Sequence, residues 1–336
     1  MEAPEVRWLE LVRKYPSPHN GQPMVLNRIS DNSYEILFET NRGLGATPIS
    51  NLFSFVTIGV FFEYVESCAT ALGHSVHSEI ALPELEGMSQ PNTELLCGKV
   101  VIGWNQAAPN TELEEAIEFR QTSRKKYVSG ISKKEKDGAV NLVSYTGQTL
   151  TFLNRQQAHQ TAWLNQRAVF DDMFNNEVRE ELRNWLRTTH KEKITKKDGL
   201  SYDCMEMSGA ALRFSLNHHK VLRWPIVAPL LRQYYLRTMK DASSIGYISS
   251  SFVTEKDAYE VGRSIMKVWL ELSKHKAYLH PFGTIVSNQQ AHSDFLKVIG
   301  KTDETRNNYV TFIFRAGRST KPVESERLLM RHLIKG

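Results

Sequence analysis

Pro16-Ser17-Pro18-His19-Asn20-Gly21-Gln22-Pro23 separates a predicted helix from a predicted hairpin. Each of its prolines disfavours helical geometry in the residue before it, so the helix must end here. Three prolines in eight residues make the loop stiff, while Ser17, His19, Asn20 and Gln22 supply donors and acceptors. A stiff polar loop can present fixed hydrogen-bonding groups to a planar heterocycle. A plain helix-to-strand connector is the competing reading.

Outward from the loop, residues 3–15 predict a short amphipathic helix, with Pro4 near its start and Trp8, Leu9, Leu11 and Val12 on one face. Downstream, Met24–Ile29 and Tyr34–Glu39 predict a hairpin around Ser30-Asp31-Asn32-Ser33. A long apolar segment, about Asn51 to Leu72 and closed by Gly73, predicts a buried central helix. Strands follow at Ser75–Leu82 and Leu95–Trp104, then the polar connector 105–112. Beyond it the plan recurs in outline: a helix from Thr111 to Phe119, a lysine-rich helix, a strand at Thr149–Asn154, and helices over 156–188. Gly246–Phe252 and Tyr309–Phe314 predict strands and Ala258–Lys274 a helix, while the charged stretch His190–Tyr202 predicts a helix-poor, mobile lid. Gly59 and Gly262 each lie within an apolar helix that leads, at the same offset, into an extended stretch containing histidine. That correspondence hints at two related modules, with two unrelated amphipathic helices as the competing reading.

The chain has 336 residues, 41% of them hydrophobic, which suits one large domain or two linked modules. Its net charge of +5 is a thin surplus of 42 basic over 37 acidic residues, not a nucleic-acid-binding block. Cys68, Cys97 and Cys204 are odd in number and far apart, as reduced thiols of a cytoplasmic protein would be. The first residues carry acids early and lack the apolar stretch of a signal peptide. The longest apolar stretch, Leu52 to Phe62, falls short of the roughly 20 residues that span a bilayer, so no membrane partner is expected.

Two further stretches can carry chemistry. Arg120-Gln121-Thr122-Ser123-Arg124 places a hydroxyl between two guanidiniums, a pattern able to grip phosphate through charge-assisted bonds, or else a solvated basic turn. Near the end stand Pro281-Phe282-Gly283, Arg315-Ala316-Gly317 and Arg327. Gly283 permits close backbone approach to a flat ligand, and Arg315 with Arg318 or Arg327 can add to a phosphate site; a turn and a solvated basic tail is the competing reading. No histidine pair has companions at metal-ligand spacing, and phosphate-loop, nucleophile-elbow and zinc-protease motifs are absent. Asn41–Pro48 is only a broken dinucleotide fingerprint.

Taken in order, these stretches resemble the nitroreductase superfamily. Arg120-Gln-Thr122-Ser-Arg124 matches that family's R-x-[ST]-x-R, and Ser17-Pro-His-Asn20-Gly-Gln22-Pro23 its S-x-x-N-x-Q-P-W loop, with Met24 in place of tryptophan. In ordinary members the arginine stretch comes first. Here the loop precedes it, as in the two-module Acg-type members, with Asp198-Gly199-Leu200 a further likeness. The resemblance implies an α+β fold with antiparallel sheets flanked by helices. It implies two related halves, 1–108 and 109–336, forming an intrachain pseudo-dimer, with a lid-like excursion near 187–224. FMN would bind between the halves. Arg120, Thr122, Arg124 and Arg327 would hold its phosphate, with Arg315 nearby. Ser17, His19, Asn20 and Gln22 would reach the ribityl chain or ring edge, and Pro281, Phe282 and Gly283 the isoalloxazine. The implied activity is an FMN-dependent oxidoreductase passing hydride or electrons between a reduced donor such as NAD(P)H and a small organic substrate. The alternative is a flavin-sequestering protein with little turnover. No catalytic acid or base, no metal and no nucleic-acid partner are expected, and the chain would be a monomeric pseudo-dimer or a homodimer. A basic interaction module using Arg120–Lys126 and Lys191–Lys197 is the reading that needs no cofactor.

Overall fold

Trp8, Leu9, Leu11 and Val12 bury one face of Pro4–Val12 and so commit it to a helix, α1. The computed structural model describes residues 4–44, 48–105, 107–144, 146–239, 244–301 and 304–336. Gly45 to Thr47 of the broken fingerprint and Gln106 of the connector lie outside these residues. After the proline loop, β1 (Met24–Ser30) and β2 (Ser33–Glu39) pair antiparallel as the hairpin pattern predicts. Helix α2 (Pro48–Ala71) leads to β3 (Ser75–Ile80) and β4 (Glu94–Gly103).

The second half begins with α3 (Thr111–Phe119), whose first turn is capped by the Asn110 side chain. Then come α4 (Lys133–Ser144), β5 (Thr149–Phe152) and α5 (Arg155–Asp172), the last started by an Asn154–Gln157 capping box. An insertion follows, built of α6 (Asn176–Trp185), β6 (Leu186–Arg187), α7 (His190–Lys196), β7 (Leu200–Ser201), α8 (Gly209–Asn217) and α9 (Val227–Met239). The chain closes with β8 (Ile245–Ser250), α10 (Glu255–Lys274), β9 (Tyr278–Pro281), α11 (Gly283–Ser287) and α12 (Gln289–Val298). Last are β10 (Tyr309–Gly317), α13 (Met330–Leu333) and β11 (Ile334–Lys335).

The result is a mixed α+β fold with two main sheets. One has the order β11-β1-β2-β4-β3 and the other β5-β8-β10-β9, the latter antiparallel throughout. The first is antiparallel except at its edge, where the carboxy-terminal β11 returns to pair parallel with β1, Ile334 opposite Leu26. Both sheets pack on a pair of crossing helices, α2 and α10. One continuous core runs from Trp8 through Phe55, Phe61 and Val65 to Val261, Val268, Phe314 and Leu333, joining residues from either side of position 108.

The crossing is set by two glycines. A Cβ on Gly59 would run into the Tyr259 carbonyl and crowd Arg263 N, and one on Gly262 would run into the Val56 carbonyl and crowd Val60 N. The same offsets apply in both directions, so the two helices touch in an isologous way. Only a residue without a side chain allows backbones this close.

Two sequence expectations need correction. Helix α2 is in fact long and apolar enough to cross a membrane over Ser50–Ala71, because the helix continues past Glu63, whose carboxylate pairs with Arg263 at 2.7 Å. Of its most apolar window 89% is buried within the protein, so α2 is a core helix by burial, not by shortness. The stretch His190–Tyr202, expected to be helix-poor and mobile, contains α7, started by a Thr189–Glu192 capping box. It is stapled by Lys193 Nζ to Asp203 at 2.6 Å and by the parallel β6–β7 pair. Its charge masked a cap signature that the residues themselves carry.

Candidate functional site: an arginine-lined cleft

Residues 16–20 of the proline loop form one lip of a cleft of about 2280 Å³, well above the roughly 300–1,000 Å³ of ordinary small-molecule sites. Its walls come from α2 (Val56, Thr57, Val60), α10 (Ile265, Trp269), the 120–124 stretch, Pro281 and Gly283, and the insertion. His19, Asn20 and Gln22 adopt left-handed backbone conformations, with φ of 49°, 54° and 56°. A Cβ on Gly21 would sit 2.6 Å from Arg42 O, so the loop is pressed tightly onto its surroundings.

The loop's polar groups divide between structure and cleft. Ser17 Oγ accepts from Gln22 N at 2.9 Å. Asn20 Nδ2 donates to Gly199 O and Glu326 O, and its Oδ1 accepts from Arg327 Nη1 at 2.8 Å. Gln22 Nε2 donates to Asn20 O and Lys197 O, and its Oε1 accepts from Leu328 N at 2.9 Å. Gln22 does not line the cleft. Both amides instead clamp the loop to the 197–199 turn and to the carboxy-terminal tail. His19 does line the cleft, and its Nδ1 has no hydrogen-bond partner among the described residues. Burial, and then the charge of Arg124, lower its pKa to about 4.

At one end of the cleft two guanidiniums converge on a single carbonyl. Arg120, 5% exposed, donates from Nη2 to Lys14 O at 2.7 Å and lies over the rings of Trp269 and Tyr64. Arg327 donates to Lys14 O at 3.2 Å and to Tyr15 O at 2.9 Å. Neither has a carboxylate partner among the described residues. Burial, followed by repulsion from Arg120, pulls Arg327 down to about 10. Arg13 Nε, Arg120 Nε, Tyr64 Oη and Trp269 Nε1 are buried here without acceptors or donors. Unneutralised guanidiniums held by backbone carbonyls, beside orphaned buried donors, describe a place for an anion.

Arg124 has different surroundings. Among the described residues its Nη1 reaches Cys204 O at 3.5 Å, and its charge acts on His19 and His280. Burial lowers its pKa. Thr122, between the two arginines, forms a parallel bridge to Leu279 and lines the cleft. Pro281 and Gly283 also line it, and a Cβ on Gly283 would meet nothing within 4 Å, so the space beside it is open. Phe282 turns into the core, 1% exposed, with its N–H on Ile313 O.

Arg315, expected near a phosphate, is fully buried and away from the cleft lining. It donates to His280 Nδ1, Thr238 O, Lys125 O and Ser123 O, and stacks on Tyr127. It acts as a brace between β10, β9 and the 120s stretch. Its bond to Nδ1 also sets the tautomer of His280. That ring is kept neutral by burial and by the charges of Arg315 and Arg124, with its proton on Nε2.

The insertion closes over the loop. Asp198 accepts from Arg187 at 2.6 and 3.0 Å and from Arg42 at 3.2 Å, and Gly199 N donates to Asn20 O at 3.2 Å. Sequence reading passed over Arg13, Lys14, Trp269, His280 and this Arg42–Asp198–Arg187 set. Only the last carried a sequence signal, in the Asp-Gly-Leu of the turn.

No protein-family model matches the chain, and no curated protein matches it. Among solved structures it is similar to the FMN-dependent nitroreductase NfnB from Mycobacterium smegmatis in complex with NADPH. The identity is 11% over 62% of this chain and 88% of that one, with a TM-score of 0.36. It is also similar to a mutant of the FMN- and NADPH-dependent nitroreductase NfnB of Sphigopyxis sp. strain HMH. There the identity is 10% over 66% of this chain and 97% of that one, with a TM-score of 0.38.

Proposed function

We propose that this chain binds FMN in the cleft and works as a nitroreductase-like oxidoreductase. The reading rests on one observation above others: Arg120 and Arg327 share Lys14 O, lack carboxylate partners among the described residues, and stand beside orphaned buried donors. A phosphate there would neutralise the two guanidiniums with charge-assisted bonds. The order of the proline loop and the R-x-T-x-R stretch along the chain points the same way.

In this reading Arg120 and Arg327 hold the phosphate, with Arg13 beside them. Ser17 and His19 face the middle of the cofactor, and the backbone at Pro281–Gly283 faces its ring system. Arg124 and the Nε2–H of His280 would favour negative charge where they line the cleft. When bound, FMN supplies the hydride or electron transfer between a reduced donor and a small organic acceptor. The protein's part is to orient both and to exclude water.

The two halves are proposed to form an intrachain pseudo-dimer about the Gly59–Gly262 crossing, with one flavin. By the reciprocal register of that crossing, the cleft residues Val56, Val60 and Trp269 have Tyr259, Arg263 and Glu66 as counterparts. Those counterparts are bonded to one another, Arg263 to Glu66 at 2.6 Å and to Tyr259 Oη at 3.2 Å, and Phe62 packs on Tyr259. That fills the space opposite the cleft.

A second reading, flavin sequestration with little turnover, is favoured by the docking of the 197–199 turn onto the loop through Asp198 and Asn20. An absorbance spectrum of the purified chain supplied with FMN, then anaerobic NADPH or NADH, separates the readings. Flavin bands that bleach with the nicotinamide support the oxidoreductase. Bands that bleach only with dithionite support sequestration, and the absence of bound flavin sinks both.

A further inference from the structure

Residues 208–239 contain Arg213, Lys220, Arg223, Arg232 and Arg237 and no aspartate or glutamate. The whole chain carries 42 basic and 37 acidic residues, so this segment alone accounts for its surplus of five. The segment is α8, a 3-10 turn at His219–Arg223, and α9. Its inner side buries Leu212, Leu216, Leu222, Ala228 and Met239. Its outer side is just as apolar: Trp224 is 57% exposed, Ile226 78% and Leu230 64%, with Phe214 and Tyr234 also exposed. Leu230 and Tyr234 lie one turn apart on α9, with Ile226 just before its first residue, and Tyr234 also borders the cleft. Lys220, Arg232 and Arg237 have no ion pair among the described residues. Around His219, on the same turn, the charges that act on the ring, after burial, are all positive: Arg179, Lys220, Arg183 and Arg223.

Five large apolar side chains facing water make a patch that a soluble surface does not normally tolerate without a partner. The fixed positive charge around it selects an anionic partner. A second copy of the same face would set like charge against like charge. Tryptophan and tyrosine among aliphatic side chains, ringed by arginine and lysine, is the composition of a helix lying in a membrane interface. At nine and thirteen residues, α8 and α9 are too short to span a bilayer but need no such length to lie on one.

We propose that α8, the 3-10 turn and α9 form an interfacial surface that docks the protein on a bilayer containing anionic lipid. Trp224, Ile226 and Leu230 enter the headgroup boundary, and Lys220, Arg223 and Arg237 face the lipid phosphates. The opposite side of α9, through Leu231, Tyr235 and Met239, lines the cleft. Docking would therefore bring the cleft beside the lipid surface. The surface stands on its own residues and does not depend on flavin binding.

The test is flotation of the full chain with vesicles of phosphatidylcholine alone or mixed with phosphatidylglycerol, at low and raised salt. The chain is expected to float with the mixed vesicles, weakly with phosphatidylcholine, and less as salt screens the charges. Neutralising Lys220 and Arg237 with glutamine should lower the partition roughly five-fold per charge. Ile226→Ser with Leu230→Ser, neither of which lines the cleft, should lower it further while leaving circular dichroism unchanged. No flotation with mixed vesicles would overturn the proposal. So would parental binding by the serine variant, or preferential binding of polyglutamate by a patch that ignores vesicles, which would mark an acidic protein partner instead.

Discussion

Gly59 and Gly262 meet where α2 crosses α10, each lying against a carbonyl three residues before the other, Tyr259 O and Val56 O. The contact is reciprocal, so the halves of the core are held by one self-complementary joint. Gly262→Ala should cost about 1–3 kcal/mol, because a methyl group has no space between two helix backbones. Urea unfolding of the variant, followed by far-ultraviolet circular dichroism, measures this. A midpoint unchanged from the parent would mean that the helices can part without loss.

Arg315 is fully buried and Arg327 half-buried near the carboxy terminus, and they should fail differently. Arg327→Met removes a charge without a carboxylate partner from the anion end of the cleft, together with its bonds to Lys14 O, Tyr15 O and Asn20 Oδ1. It should weaken FMN binding roughly ten- to hundred-fold, the range expected for a bond to a charged group. Arg315→Met leaves His280 Nδ1, Thr238 O and Lys125 O without this donor, while Ser123 O keeps Tyr127 Oη, and should destabilise the fold by about 1–3 kcal/mol or more. Flavin fluorescence titration beside denaturant unfolding separates the two effects. Equal losses of affinity at equal stability would remove the distinction.

His19 sets a pH dependence whose sign follows from its burial. Its pKa falls from an ordinary 6.5 to about 4 in the folded chain. Between those values the unfolded chain binds the extra proton and the folded chain does not. Stability is therefore fully present above about pH 6.5 and declines as pH falls toward 4, by up to about 1.4 kcal/mol per pH unit. His280 is lowered in the same direction. Glu181, facing His19 Nδ1 at 3.5 Å, has its own pKa raised by burial. His19→Asn should flatten the decline between pH 6.5 and 5. An unchanged slope would assign it to other groups.

Asp198 joins the insertion to the proline loop through Arg187, which is buried, and Arg42. Asp198→Asn leaves the Arg187 charge buried without a counter-ion, a loss of about 3–5 kcal/mol when a buried pair is broken from one side. Because the pair holds one turn, the effect should be local: faster amide exchange over 186–201, with β8 and β10 still protected. Where flavin is bound, its release should quicken. Uniform exchange across the chain would show that the insertion and the core unfold together.

If the chain binds FMN as a pseudo-dimer in the way proposed, one flavin per chain is expected, since Arg263, Glu66, Tyr259 and Phe62 are bonded or packed together at the positions that correspond to cleft residues. The ratio of flavin to protein absorbance after gel filtration reads it directly, and a ratio near two would refute the closure.

The sequence by itself determined most elements and the stiffness of the loop. Prolines, capping residues and apolar periodicity act over a few positions, so α2, α10, the β1–β2 hairpin and the capped start of α3 are legible in it. The reason for Gly59 and Gly262 is half legible: both glycines are visible, but not that they face each other. The tertiary structure alone decided which polar groups stay free. Asn20 and Gln22 are consumed by Gly199, Glu326, Lys197 and Leu328, residues 175 or more positions away. Arg315 is satisfied by four distant acceptors away from the cleft, whereas Arg120 and Arg327 share Lys14 O on the cleft wall and lack carboxylate partners among the described residues. Nothing in an arginine's local sequence distinguishes the two cases. Whether it braces the core or waits for an anion depends on desolvation and on partners that only the folded chain assembles.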